Sequence, residues 1–155
     1  MRSKRTKKRP IELDPVYKSK VITRMINILM LDGKKSIAQS AMYDVLSMLN
    51  EDKKEACTMF EEAVKNVMPI QEVRSRRIGG ATYQVPMPVK HDRSEALAIR
   101  WIIDSARKKS GKNIVQRLFD EIKNAYEGIG DAKKKQEETH RMAESNRAFA
   151  HFAKY

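Results

Sequence analysis

Three arginines, Arg74, Arg76 and Arg77, lie close together in a stretch of the chain that has the sequence of a β-hairpin. A guanidinium group is planar, always charged, and able to donate two parallel hydrogen bonds to a phosphate. Gly79 and Gly80 lie between two β-prone runs and supply the positive φ angles that a tight hairpin turn requires. The segment therefore predicts a cationic β-ribbon that lies against a polyanion, with a solvated hairpin as the alternative.

The hairpin is expected at about residues 72–89 and is predicted to protrude. Its arginines alternate between both faces of the first strand, which argues against a ribbon folded flat on an apolar core. Pro86 and Pro88 lie two residues apart, so both missing N–H groups fall on one side of the second strand, as suits an edge.

A second group of residues could carry metal chemistry. Glu137, His140 and Glu144 share one face of a predicted helix, but a di-metal carboxylate bundle requires a second Glu-x-x-His motif. Cys57 has no histidine near it in sequence and is predicted to be a buried, inert thiol. We therefore expect no catalytic residue, no metal site, no cofactor and no enzymatic activity, with a metal-dependent enzyme built on the Glu137 group as the alternative.

These residues must be positioned by helices, because hydrophobic residues recur at helical spacing through most of the chain. The fold class predicted is mainly α, a six-helix domain with a two-stranded hairpin between the third and fourth helices. The apolar face of the second predicted helix includes Ile37, and Met48 is also expected to fill the core. The sixth helix is polar, is predicted to run roughly to Ala150, and has opposite charges at i, i+4.

The fourth helix carries Arg93, Arg100 and Arg107, whose spacing of seven places them in one line along the helix. The line is interpreted as a continuation of the phosphate-facing surface, with a solvated helix face as the alternative. Capping boxes are predicted at residues 92–95 for this helix and at residues 113–116 for the fifth. Trp101 lies off the core stripe, which favours a helix packed on two sides over an aromatic shown to a partner.

Basic charge is concentrated in two places. Residues 1–9 carry +6 and residues 72–90 carry +3, so these segments supply +9 of the formal net charge of +12. This pattern is typical of a polyanion binder. We divide the chain into a disordered basic arm at residues 1–13 and a single helical domain at residues 14–155.

A membrane is not the expected polyanion, because the arm has no apolar residues to insert and no stretch approaches about 20 consecutive apolar residues. The N-terminus lacks the apolar region of a signal peptide, and the single cysteine fits a reducing compartment. The expected location is the cytoplasm. Among nucleic-acid binders, an architectural protein that inserts its ribbon into a DNA groove is the alternative to an RNA-binding protein.

Five motifs carry a resemblance to a known family. The run from Glu72 to Pro86 resembles the small-subunit ribosomal protein S-seven family, in its bacterial or organellar form. Four shorter motifs match in the same order, namely residues 14–17, 32–35, 96–102 and 139–146.

The resemblance implies a primary binding protein of the 3′ major domain of small-subunit ribosomal RNA that nucleates assembly of the subunit head. It also implies exit-site tRNA and mRNA nearby, a neighbouring protein of the S-eleven family, and a location on a cytoplasmic or organellar ribosome. The RNA-binding residues that it implies are Arg2, Lys4, Arg5, Lys7, Lys8, Arg9, Lys34, Lys35, Arg74, Arg76, Arg77, Gly79, Gly80, Arg93, Arg100, Arg107, Arg141 and Asn146.

Overall fold

The computed structural model describes residues 10–154, and it is mainly helical with one hairpin. In chain order the elements are α1 (Lys20–Leu29), α2 (Lys35–Leu49), α3 (Lys53–Val67), β1 (Gln71–Ile78), β2 (Ala81–Pro88), α4 (His91–Lys108), α5 (Ile114–Tyr126), α6 (Asp131–Ser145) and a C-terminal 3-10 helix (Arg147–Lys154). The predicted six-helix fold with a hairpin between α3 and α4 is confirmed, and the short C-terminal helix is added to it.

The core lies among α1 to α5, with α5 packed against α2, α3 and α4. Fully buried side chains come from each of these helices, as the periodicity predicts: Ile22, Met42, Phe60, Ile102 and Leu118. Two predictions about the core are wrong. Ile37 is 64% exposed at the start of α2, and Met48 is 46% exposed near its end, because the core covers only the middle of that helix face.

The ribbon is an antiparallel pair whose register runs from Gln71 opposite Pro88 to Ile78 opposite Ala81. Gly79 and Gly80 form the predicted turn, with φ angles of 57° and 91°. Residues that have a Cβ atom are sterically strained at such angles, so the turn favours glycine at both positions.

The ribbon does not stand free of the body. The C-terminal 3-10 helix packs against β2, and α6 packs against both strands. Tyr83 of β2 contacts Phe149 and Phe152, with ring centroids 5.5 and 5.1 Å apart, and Val85 is fully buried. A two-stranded sheet alone is marginally stable in water, so these contacts stabilise the ribbon.

Neither predicted capping box forms. The α4 helix begins at His91, so Asp92 lies inside the helix, and the Glu95 carboxylate accepts from Arg24 at 2.6 Å instead of from the backbone. Asn113 does precede α5, but its side chain makes no capping hydrogen bond. For Glu95, an ionic partner distant in sequence has replaced the local bond that the motif predicts.

The α6 helix is shorter than expected, because it ends at Ser145 and not near Ala150. Its ion pairs join residues three apart, such as Lys134 with Asp131 and Lys135 with Glu138, and not the predicted residues four apart. Trp101 projects from α4, is half-buried against the core, and lies beside α6. The α4 helix is therefore packed on two sides, as predicted. No helix within residues 10–154 has the length and apolar content needed to cross a membrane.

Candidate nucleic-acid interface

A buried carboxylate joins the ribbon to α4. Glu72, which is 7% exposed, lies 2.5 Å from Nη2 of Arg74 and accepts from Nε of Arg93 at 2.8 Å with each of its oxygens. The side chains of both arginines remain about half exposed. One acid thus fixes two predicted RNA-binding arginines, Arg74 in its own strand and Arg93 21 residues further along the chain, and it leaves a net positive charge at the surface.

The arginine row of α4 begins at this pair. Because seven residues of helix rise by about 10 Å, Arg93, Arg100 and Arg107 follow one another at that spacing. Arg107 Nη2 donates to the carbonyl of Leu29 at 3.0 Å, so the end of the row is tied to the end of α1. Arg100 is exposed and has no ion-pair partner among residues 10–154. The row therefore connects the ribbon base to the turn after α1.

That turn positions the predicted lysines. Asp32 and Gly33 adopt positive φ angles of 53° and 72°, which reverse the chain so that Lys34 and Lys35 start α2 with exposed side chains. Lys34 lines one groove together with Arg107. The structure thus brings Lys34 to the far end of the arginine row.

The outer part of the ribbon carries Arg76 and Arg77 on opposite faces. Arg76 is half-buried, and its Nη2 lies 3.7 Å from the sulfur of Met87. Arg77, Gly79 and Gly80 are exposed, and the glycine tip has open space where Cβ atoms would lie. The tip can therefore approach another molecule with its backbone.

The two predicted RNA-binding residues near the end of α6 lie outside the arginine row of α4. Arg141 is exposed and has no ion-pair partner among residues 10–154. Asn146 donates to the carbonyl of Met142 at 2.8 Å and lines a cleft with Trp101. The predictions for Arg2, Lys4, Arg5, Lys7, Lys8 and Arg9 lie outside the described residues. Pro10 and Ile11, which follow them, line a groove with residues of α1 and α4.

Two residues considered for other chemistry are part of the packing. His140 Nε2 accepts a hydrogen bond from the backbone N–H of Ile70 at 3.0 Å. Within residues 10–154, no group of three or more His, Cys, Asp or Glu residues is arranged to hold a metal ion. Cys57 is half-buried and not buried as predicted, because it lies at the edge of the core. Burial, followed by the nearby Glu61 carboxylate, raises the pKa of its thiol.

Sequence reasoning missed three features of this surface. Arg117 lines the groove of Lys34 and donates to the carbonyls of Arg107 and Lys109. Arg24 pairs with Glu95, whose hydrogen bond raises the pKa of that guanidinium. Glu72, which binds Arg74 and Arg93, is the third. The signal in the sequence is its isolation, since it is the sole acid in the basic segment 72–90.

A helical body that presents a cationic ribbon, a row of arginines and exposed lysines belongs to the class of polyanion-binding proteins. The model of the family described as Ribosomal protein S7p/S5e matches residues 1–147, so the chain belongs to that family of ribosomal proteins. Its membership implies RNA binding and a place in translation.

Several curated relatives carry the name "Small ribosomal subunit protein uS7". The protein of Fervidobacterium nodosum is 52% identical over 153 residues, which cover 98% of this chain and 99% of the relative. Those of Clostridium novyi and Thermotoga neapolitana are 51% and 50% identical, covering 95% and 98% of this chain and 95% and 99% of their own.

Proposed function

We propose that this ribosomal protein is a non-catalytic component of the small subunit that binds the 3′ major domain of its ribosomal RNA and nucleates assembly of the head. Its place would be a cytoplasmic or organellar ribosome, near exit-site tRNA, mRNA and a protein of the S-eleven family. These finer assignments rest on the family to which the chain belongs. The observation that carries RNA binding is the series of exposed basic side chains that runs from the ribbon through the α4 row to Lys34.

The mechanism is neutralisation of phosphates by groups held in fixed positions. Glu72 orients Arg74 and Arg93 at the ribbon base, so their exposed edges are arranged before RNA binds. Pre-arranged donors lose less conformational entropy on binding than free side chains do. RNA suits such a surface, since proteins recognise helical RNA mainly through its shape, phosphates and 2′-hydroxyls.

The chain divides, in this proposal, into an arm at residues 1–13 and an RNA-binding body at residues 14–155. The arm supplies six basic residues that add phosphate contacts, and the body holds the ribbon and α4 in register. Each phosphate that is neutralised releases counterions, so the affinity falls with salt at a slope of roughly −0.7 to −0.9 per contact.

The test is binding to a transcript of the head domain, titrated over salt, with duplex DNA as competitor. We expect tight binding that survives the competitor at moderate salt. Equal loss of the complex to DNA would reduce the protein to a general polyanion binder and contradict the proposal.

Two variants locate the contacts. Deletion of residues 2–9 is expected to make the salt slope shallower and to leave the helical circular dichroism unchanged. Arg100→Gln is expected to reduce the slope by about one contact. The matched control is Lys53→Gln, which removes the same charge from the exposed start of α3. A slope unchanged by the deletion would show that the arm makes no phosphate contact.

A further inference from the structure

A cleft of about 400 Å³ lies between the ribbon, α4 and α6. Its apolar wall includes Leu97 and half-buried Trp101, and its polar groups come from Gln84, Thr139 and Asn146. Flat aromatic and apolar walls with a few polar groups at the edge are the usual surroundings of an unstacked nucleobase.

The polar groups of the cleft offer acceptors. Thr139 Oγ1 donates its proton to the carbonyl of Lys135 at 2.9 Å, which leaves its lone pairs available. Asn146 Nδ2 donates to the carbonyl of Met142, and Oδ1 of the same side chain remains available to accept a hydrogen bond. The amide of Gln84 is engaged with the hydroxyl of Ser75. The free acceptors, which are the lone pairs of Thr139 Oγ1 and of Asn146 Oδ1, favour a ligand that supplies hydrogen-bond donors.

The cleft also lies next to two arginine side chains. Glu72 lines it, and the same carboxylate holds Arg74 and Arg93 at 2.5 to 2.8 Å. Both arginine side chains are half exposed, so they can bind an anion attached to whatever enters the cleft. An aromatic wall, free acceptors and adjacent guanidinium groups together match one nucleotide of a single strand.

We propose that this cleft binds an unpaired RNA base that carries an exocyclic amino group, stacked on Trp101, with its phosphate on Arg74 or Arg93. Adenine, cytosine and guanine present such a group to Thr139 and Asn146. Uracil presents carbonyl oxygens on both sides of its single N–H, and acceptors repel these. The inference rests on the proposed RNA binding and adds base selectivity to it.

Trp101 makes the experiment direct, because it is the only tryptophan in the chain. Its emission is recorded while the full-length protein is titrated with adenylate, cytidylate and uridylate homopolymers of equal length, and with the head-domain transcript. Fluorescence anisotropy of labelled RNA measures binding in parallel. We expect saturable quenching by adenylate and cytidylate, and weaker binding with less quenching by uridylate.

Thr139→Val removes an acceptor with almost no change of shape. It is expected to weaken adenylate binding about fivefold and to leave uridylate binding unchanged. The matched control is Thr58→Val on α3, because Thr58 Oγ1 donates to the carbonyl of Lys54 at 3.0 Å in the same way. That control should bind every RNA like the parent.

The outcomes separate the two proposals. If the transcript binds with unchanged Trp101 emission, the base site is overturned, RNA binding stands, and the cleft is left for another ligand such as a peptide. Equal quenching and affinity with all three homopolymers, together with no effect of Thr139→Val, overturns the selectivity. If no RNA binds at all, the proposed function falls, and the base site falls with it.

Discussion

Phe60 in the helical body is fully buried within a core built from five helices, whereas Tyr83 in the ribbon is half exposed and packs on two rings of the C-terminal 3-10 helix. The body is stabilised by apolar burial, which requires no particular partner for each side chain. The ribbon is stabilised by specific pairs, the aromatic contact and the Glu72 ion pairs. The difference shows that the cationic surface depends on a few contacts that can be removed one at a time.

The largest expected effect lies in the body. Phe60→Ala should lower the free energy of unfolding by about 3–5 kcal/mol, because it removes a buried ring and leaves a cavity. Urea denaturation followed by circular dichroism measures the loss. Thr58→Ala, on an exposed position of the same helix, should stay within about 0.5 kcal/mol. Similar losses for both variants would contradict the account of the core.

A smaller effect is expected where the ribbon meets α4. Glu72→Gln should cost about 1–2 kcal/mol, because it weakens charged hydrogen bonds of a buried carboxylate whose partners are half exposed. The added net positive charge should strengthen binding to any polyanion, while loss of the fixed arginine geometry lowers the preference for head-domain RNA over duplex DNA. Glu62→Gln on α3 makes the same charge change at an exposed position. Equal loss of preference in both variants would show that Glu72 acts through charge alone.

The aromatic contact should give a local effect. Phe149→Ala is expected to destabilise the ribbon by about 1 kcal/mol, because it removes a ring that packs on Tyr83. Hydrogen exchange should accelerate at the amides of β2 and stay unchanged in α3. Tyr126→Ala, which removes a 39% exposed aromatic from α5, is the control. Uniform acceleration throughout the body would show that the ribbon and the core unfold as one unit.

The smallest effect concerns proton binding. The pKa of Cys57 is raised above its ordinary value of 9.0 by burial and then by Glu61, so the unfolded chain loses this proton at lower pH than the folded one. Its contribution to stability is therefore fully present below that value and is lost as the pH rises through the folded pKa.

The alkylation rate of Cys57 against pH is expected to rise at higher pH in the native protein than in urea. A cysteine on the exposed ribbon, Ser75→Cys in a Cys57→Ser background, should give the same curve in both conditions. Coincident native and urea curves for Cys57 would contradict the assignment.

The sequence predicted the helices because their apolar periodicity is sustained, and it predicted the ribbon turn because two adjacent glycines meet a specific backbone requirement. It predicted most of the cationic surface from residue type. It did not predict that Glu72 would bind Arg93, since a pairing over 21 residues depends on how the ribbon base meets α4. The capping box predicted for α4 failed for the same reason, because Glu95 is bound by Arg24 of another helix.

The end of α6 could not be read from periodicity either. Asn146 bonds back to the carbonyl of Met142, and the chain continues in a tighter helix that turns Phe149 and Phe152 toward the ribbon. Phe149, which lies within the predicted long helix, therefore belongs to a separate element that packs against the ribbon.

The position of Tyr83 along the ribbon sets its mechanical behaviour. Two residue pairs, Arg77 with Thr82 and Ile78 with Ala81, lie beyond the tyrosine, so the unsupported end of the eight-pair ribbon is about 7 Å long. A ribbon that is held near its tip bends far less under a given force than one that is held only at its base. A load on the glycine tip is therefore carried through the aromatic rings into the C-terminal 3-10 helix and α6, so the middle of the chain and its C-terminal elements resist the load together.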